Sequence, residues 1–266
     1  MAILRTVNSY THGHHESVLR SHRWRTAANS AAYLVPHLRP GLSLLDVGCG
    51  PGTITADLAE LVAPGRVTAL ERSESALELA SHLTNAELVV GDAHALEFPD
   101  GSFDVVHAHQ VLQHLADPVR ALREMRRVTV PGGIVAARDS DYSGFMWFPR
   151  LPELDLWMAL YQRAARANGG DPDAGRRLLS MARQAGFTSI VSTASIWCFS
   201  TAEDRQWWGG MWAERILHSD MARQLLAEEY ATPRQLQSIS DAWRRWADDE
   251  DGWMAVPHGE ILCTVT

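Results

Sequence analysis

The segment Leu44–Thr53 reads LLDVGCGPGT, an apolar run that delivers Asp46 and then breaks into Gly48, Gly50 and Gly52. Glycine is required where the backbone must take positive φ or approach a ligand closely, so a strand ending in this loop is built to hold a small molecule against main-chain atoms. Glu71 follows Gly50 by 21 residues, at the end of a second apolar run. An acid in that place reaches a ribose diol lying across the strand ends. Bonds from both hydroxyls to its carboxylate are charge-assisted, roughly 1.5–3 kcal/mol each. A third run ends in Gly91-Asp92-Ala93, where Asp92 can accept from the exocyclic amine of an adenine. Three strand ends thus carry a glycine turn or an acid at the edge where ligands bind in open α/β sheets. The spacing G-x-G-x-G departs from the dinucleotide fingerprint, because Thr53 stands where the third glycine of G-x-G-x-x-G would be.

Proton-transfer candidates are His14 and His15 near the N-terminus, His109 and His114 after the fourth strand, and Asp139 after the fifth. His114, in QVLQHLADP, stands just before a helix; a general base, an acceptor positioner and a loop histidine bonded to backbone all fit it. His12, His14 and His15 offer imidazoles to a metal with His107 or His109, but no cysteine or carboxylate completes a ligand spacing. No metal is therefore expected.

The elements that must position these groups alternate. Strands are expected at Ser43–Val47, Arg66–Glu71, Glu87–Val90, Ser102–His107 and Ile134–Arg138. Helices are expected over 17–39, at Thr53–Val62, from an N-cap at Ser73, and from Asp117-Pro118 through Arg127. Such alternation implies a parallel sheet with right-handed crossovers and helices on both faces. After residue 140 helices are expected over 151–167 and 173–185, then a strand Phe187–Trp197, about 50 mostly helical residues, and a last strand Glu260–Val265. The expected fold is α/β: a Rossmann-like seven-stranded, mostly parallel sheet with helical lid insertions. One domain spans 1–266: an N-terminal helical arm at 1–39, a core at 40–140, lid insertions at 141–186 and 198–255, and last strands at 187–197 and 260–265.

Composition narrows the partners. The chain has 266 residues, 46% of them hydrophobic, and a net charge of −8. All 24 basic residues are arginine, which excludes Schiff-base chemistry and a phosphate-loop lysine. The charge argues against a nucleic-acid footprint. Cys49, Cys198 and Cys263 are scattered, and no signal peptide or membrane span is read, so a soluble cytoplasmic protein is expected.

LLDVGCGPGT, Glu71, GDAHALEFPDGSFDVVHAHQVLQHLADP and PGGIVAARD together resemble the class I S-adenosylmethionine-dependent methyltransferases, and among them the ubiquinone/menaquinone-biosynthesis type. The resemblance is close over roughly residues 40–140 and loose elsewhere. It implies methyl transfer from S-adenosylmethionine to a small organic acceptor at O, N, S or C, with S-adenosylhomocysteine as product. By motif position, Gly48, Cys49 and Gly50 would wrap the methionine and sugar, and Asp46 would face the methionine amino group. Glu71 would hold the ribose, Arg72 would lie along the adenine, Asp92 and Ala93 would read its edge, and His109 and Gln110 would line the site. Tyr10, in a segment that in related enzymes folds over the cofactor, joins His14 and His114 as a catalytic candidate. An NAD(P)-dependent oxidoreductase and a non-catalytic cofactor-binding relative are the alternatives.

Two features remain open. Arg20, Arg23 and Arg25 in RSHRWR read as a solvated or acid-paired helix face. Nine of the ten tryptophans lie after residue 140. They fit a small helical core, an aromatic pocket for a flat acceptor (Trp147, Trp208 and Trp212 being the candidates), or both. A monomer or homodimer is expected.

Overall fold

The structure is a computed structural model that describes residue 11 and residues 15–266. Tyr10 and His14 lie outside the described residues.

Among the described residues eight strands form one sheet: β1 Leu44–Val47, β2 Val67–Glu71, β3 Glu87–Val90, β4 Phe103–His109, β5 Thr129–Ser140, β6 Met146–Phe148, β7 Ser189–Phe199 and β8 Trp253–Thr264. The order is β3-β2-β1-β4-β5-β8-β6, with β7 also paired to β8. The pairs among β1 to β5 are parallel, and β8 runs antiparallel to β5, β6 and β7. The chain winds outward from β1 to β3 and then jumps back to β4, so the strand order reverses beside β1. Ligands bind at that reversal point in open sheets, off the strand C-termini.

Period-two alternation puts the helices on both faces. Leu44, Val67, Val105 and Ala136 pack under helices α2 (Ala27–Ser30) and α3 (Thr53–Val62). Their neighbours Leu45, Val106, Val135 and Ala137 face the opposite way, onto α5 (Pro118–Val128) and α7 (Leu178–Gln184). The short helix α4 (Glu74–Leu77) follows β2 and is capped by Ser73, whose hydroxyl accepts from Ala76 N at 3.3 Å.

A third core stands beyond the strand ends. Helices α6 (Pro152–Ala167), α8 (Ala202–His218), α9 (Asp220–Ala227) and α10 (Pro233–Asp248) bury Trp157, Trp212, Trp243 and Trp246 against one another. Trp157 meets Trp212 and Trp243 edge-on, at 4.7 and 4.9 Å between centroids.

Four expectations need correction. The helix over 17–39 is broken into α1 (Glu16–Arg23), α2 and a 3-10 turn at Val35–His37. Thr26 starts α2 afresh with a capping box, its main-chain N–H donating to Asn29 Oδ1 while Asn29 N donates to its hydroxyl. The sheet has one strand more than seven, because the three-residue β6 adds to the start of β8. That start lies at Trp253 rather than Glu260; Pro257 disguises it, since proline usually argues against an inner strand. The 141–186 insertion also divides, α6 joining the tryptophan core and α7 packing on the sheet.

Candidate active site

A cavity of about 380 Å³ opens where the C-terminal ends of β1 to β5 meet α1 and α8. The glycine loop forms its floor. Gly48 takes φ +71, and a Cβ there would lie 2.5 Å from Val111 Cγ2, so only glycine fits. Gly50 takes φ +54, but its side-chain direction is open, with His22 Nδ1 at 3.9 Å the nearest atom. That open space faces the cavity.

Glu71 ties the loop to the next strand. Its Oε2 accepts from Gly50 N at 3.2 Å, and its Oε1 accepts from Arg72 N at 2.8 Å and Ser73 N at 3.3 Å. Asp92 stands one strand further, its Oδ1 accepting from His94 N at 2.9 Å and bonded to His94 Nδ1 at 2.8 Å. Burial would raise the Asp92 carboxyl; the His94 backbone and ring, with Arg72 nearby, hold it below its ordinary value. Asp46 is buried beneath the loop. Its Oδ2 accepts from Thr55 Oγ1 at 2.5 Å and its Oδ1 bonds His107 Nδ1 at 2.8 Å. This Asp46–Thr55–His107 brace, linking β1, α3 and β4, was not anticipated; the sequence places its members 9 and 61 residues apart. Burial, with Asp46 and Glu71 alongside, pushes the Cys49 thiol up, so it stays protonated.

The groups expected after β4 diverge. Gln110 sits at φ +53. Its Oε1 accepts from Arg25 Nη2 at 2.6 Å, and its Nε2 bonds His258 Nε2 at 2.8 Å. Because His258 Nδ1 bonds the Val256 carbonyl at 2.9 Å, that ring carries its proton on Nδ1 and accepts from Gln110. His109 is buried between Trp197 and His258, and neither ring nitrogen has a hydrogen-bond partner among the described residues. Burial, then Arg138 and Arg25, push the His109 pKa well down. His114 lines the cavity, and its Nε2 accepts from Gln113 Nε2 at 3.1 Å. Burial and Arg25 push it down to about 3, so it is neutral and weakly basic near pH 7. Asp139 is fully buried, its Oδ1 accepting from Gln113 N at 3.1 Å, and burial raises it to about 7.

The opposite wall is aromatic. Trp24, Trp197, Trp207, Trp208 and Trp212 line it with Tyr142 and Phe145. Of the three tryptophans singled out earlier, Trp208 and Trp212 face the cavity, while Trp147 packs away from it against Trp157. Trp24 was not anticipated; it lies 5.1 Å from Trp197 and 5.2 Å from Trp207. Of the RSHRWR arginines, Arg20 pairs with Glu214 and Arg23 with Glu16, as an acid-paired face requires. Arg25 instead turns into the cavity, where Arg215 of α8 joins it. Nothing in the local sequence marks Arg215, which meets α1 across 198 residues by donating to Ser17 O at 2.8 Å.

Gly50, open to the cavity, and three carboxylates at successive strand ends suit a positively charged nucleoside cofactor, and the residues present fit S-adenosylmethionine. Fold and site together are those of a group-transfer enzyme. The methyltransferase domain family matches residues 45–137. A methyltransferase of Schizosaccharomyces pombe is 36% identical over 270 residues, spanning 95% of both chains. The probable methyltransferase ltbC of Aspergillus luteorubrus is 31% identical over 287 residues, 98% of this chain and 99% of its own. The chain belongs to the S-adenosylmethionine-dependent methyltransferases. A Staphylococcus aureus demethylmenaquinone methyltransferase is 40% identical, but over 47% of this chain and 51% of its own, so the menaquinone-type branch has only partial support. Among solved structures, a putative methyltransferase from an antibiotic biosynthesis pathway of Anabaena variabilis has the same fold, with TM-score 0.62 and 17% identity over 89% of this chain and 98% of that one. The oxidoreductase alternative falls with these matches.

Proposed function

We propose that the enzyme methylates a small organic acceptor held between the strand ends and the tryptophan wall. The observation that carries this reading is one continuous cavity with the glycine loop at one side and Trp208 and Trp212 at the other. Gly48, Cys49 and Gly50 would cradle the methionine and sugar of S-adenosylmethionine, Glu71 the ribose hydroxyls, and Arg72, Asp92 and Ala93 the adenine. Asp46 would act from beneath, as a negative charge held by Thr55 and His107. His109 and Gln110 would form the boundary between cofactor and acceptor. When bound, the cofactor supplies a methyl group on a positively charged sulfur. The chain's own contribution is to position the acceptor and exclude water. His114, neutral and accepting, suits orienting an acceptor group better than storing a proton.

Tyr10 and His14 are proposed to complete the cover. The reading is supported by Thr11, next to Tyr10 in sequence, which is buried and accepts from Asn168 Nδ2 of the helical half at 3.1 Å. The acidic charge and the absence of lysine support a small-molecule rather than nucleic-acid acceptor. No helix among the described residues is long and apolar enough to cross a membrane. We assign the cytoplasm on the three unpaired thiols and leave monomer and homodimer as the two assemblies consistent with the composition.

Deleting residues 1–14 tests the cover. Single-turnover methylation should fall at least tenfold while the melting temperature moves little; an unchanged rate would remove the N-terminal segment from the site. S-adenosylhomocysteine should also change the tryptophan emission, because several indoles line the cavity.

A further inference from the structure

The outer strands of the sheet are unlike one another. β3 has four residues and carries Glu87, and β6 has three residues. β7 pairs with β8 along its whole length, Ser189–Phe199, in unbroken register, while β5 and β6 share the other side of β8. The far edge of β7 is therefore open: beyond the β8 ladder, no hydrogen bond to its main chain is found among the described residues.

Outer strands are ordinarily blunted by shortness, charge, proline or a bulge. The eleven residues SIVSTASIWCF have none of these. The chain is 21% charged, yet this strand carries no charge at all. Val191 and Ile196 are the most exposed large hydrophobic residues among those described, at 60% and 56%. They stand on opposite faces of the strand, so both faces are apolar at the rim.

Three features point to a second copy of the chain as the occupant. The open edge offers main-chain N–H and C=O groups alternately, which another strand completes. The strand is neutral in a chain of net charge −8, so two copies can meet here without setting like charges together. The strand is also nearly symmetric in side-chain size: the small residues Ser192–Ser195 lie between Ile190-Val191 and Ile196-Trp197. A twofold axis through that small centre, normal to the sheet, runs the strand antiparallel to its own copy. It sets the Val191 end of one strand against the Ile196 end of the other. Eleven paired residues supply about ten hydrogen bonds, as many as a typical stable interface contains.

We propose that two copies of this chain associate through β7, edge to edge and antiparallel, so that one sheet runs through both. Each chain has one such edge, so the assembly closes at a dimer. Trp197 lies on β7 and lines the cavity, so the pairing also steadies one wall of each site.

Analytical ultracentrifugation of the full chain tests this. Dimers should form with a Kd of about 10 μM or tighter, roughly −7 kcal/mol. Ala194 is exposed at the centre of the strand. Ala194→Glu and Ala194→Arg each place like charges beside the axis and should each weaken the dimer at least tenfold, while an equimolar mixture of the two should restore it. Val90→Glu, at an exposed apolar residue of β3, should leave it unchanged. Melting curves confirm that the variants fold. Independently of any variant, hydrogen exchange at β7 amides should slow as the concentration of the natural chain rises through the Kd. A monomer at 100 μM overturns the proposal. So do growth beyond a dimer, undiminished association of both Ala194 variants, a mixture that stays monomeric, a Val90→Glu variant that dissociates, and β7 exchange that ignores concentration.

Discussion

The sheet half of the cavity is made of main chain and strand ends, and the helical half is made of side chains carried in from distant elements. Gly48, Gly50 and Glu71 lie within 24 residues and are tied by one short set of hydrogen bonds. Arg25, Trp197 and Arg215 come from α1's end, an edge strand and α8, and meet only after the helices have packed. A loop fixed by its own backbone conserves a cofactor shape cheaply. A wall of indoles can be repacked without disturbing the sheet, so the two halves can answer to different ligands.

The comparison can be broken hardest at its helical end. Trp157 is fully buried among other tryptophans. Trp157→Ala should cost about 3–5 kcal/mol of stability, from lost burial and the cavity left behind. Chemical denaturation reads this, and a loss below about 1 kcal/mol would mean that the tryptophan core does not hold the helices.

Gly50→Val attacks the other half. Its side chain would project into the open space above the loop and should weaken S-adenosylhomocysteine binding at least about a hundredfold, roughly 2.7 kcal/mol. Positive φ adds strain of about 1–2 kcal/mol, so the protein should still fold. Calorimetry with a melting curve separates the two effects, and undiminished affinity would sink the cofactor assignment.

Asp139 lies where the halves join. Its folded pKa of about 7 exceeds its ordinary 3.8, so the folded state holds the proton longer than the unfolded state. Stability from this group is greatest below about pH 4, declines as pH rises toward 7, and is level above that. Asp139→Asn should stabilise the protein by roughly 1–3 kcal/mol at pH 8 and by almost nothing at pH 4. Melting temperatures at both pH values check the sign; a variant less stable at pH 8 would show that the carboxylate is compensated.

Glu71→Ala is the mildest cut. It removes the acceptor of Gly50 N and the proposed ribose ligand, and should weaken S-adenosylhomocysteine binding about tenfold. Acceptor binding should be unchanged. Equal losses for both ligands would mean that the halves are not separable.

The sequence by itself determined the sheet half of the cavity. Gly48, Gly50, Glu71 and Asp92 were legible because strand, turn and helix follow one another in the chain, and local backbone geometry limits which residues can stand at each turn. Thr53–Val62 and the Pro118 helix start were legible for the same reason: caps and periodicity are local. Only the tertiary structure decided the rest. Arg25 looked like one more charge on a basic helix until the turn after α1 was set beside the end of β4, where Gln110 captures it. His107 became the partner of Asp46 because two strands distant in sequence are neighbours in register. His109 and His114 kept the residue type of a base, yet burial and nearby guanidinium charge removed the basicity. Burial and long-range charge depend on what packs nearby, and a linear pattern of residues does not contain that information.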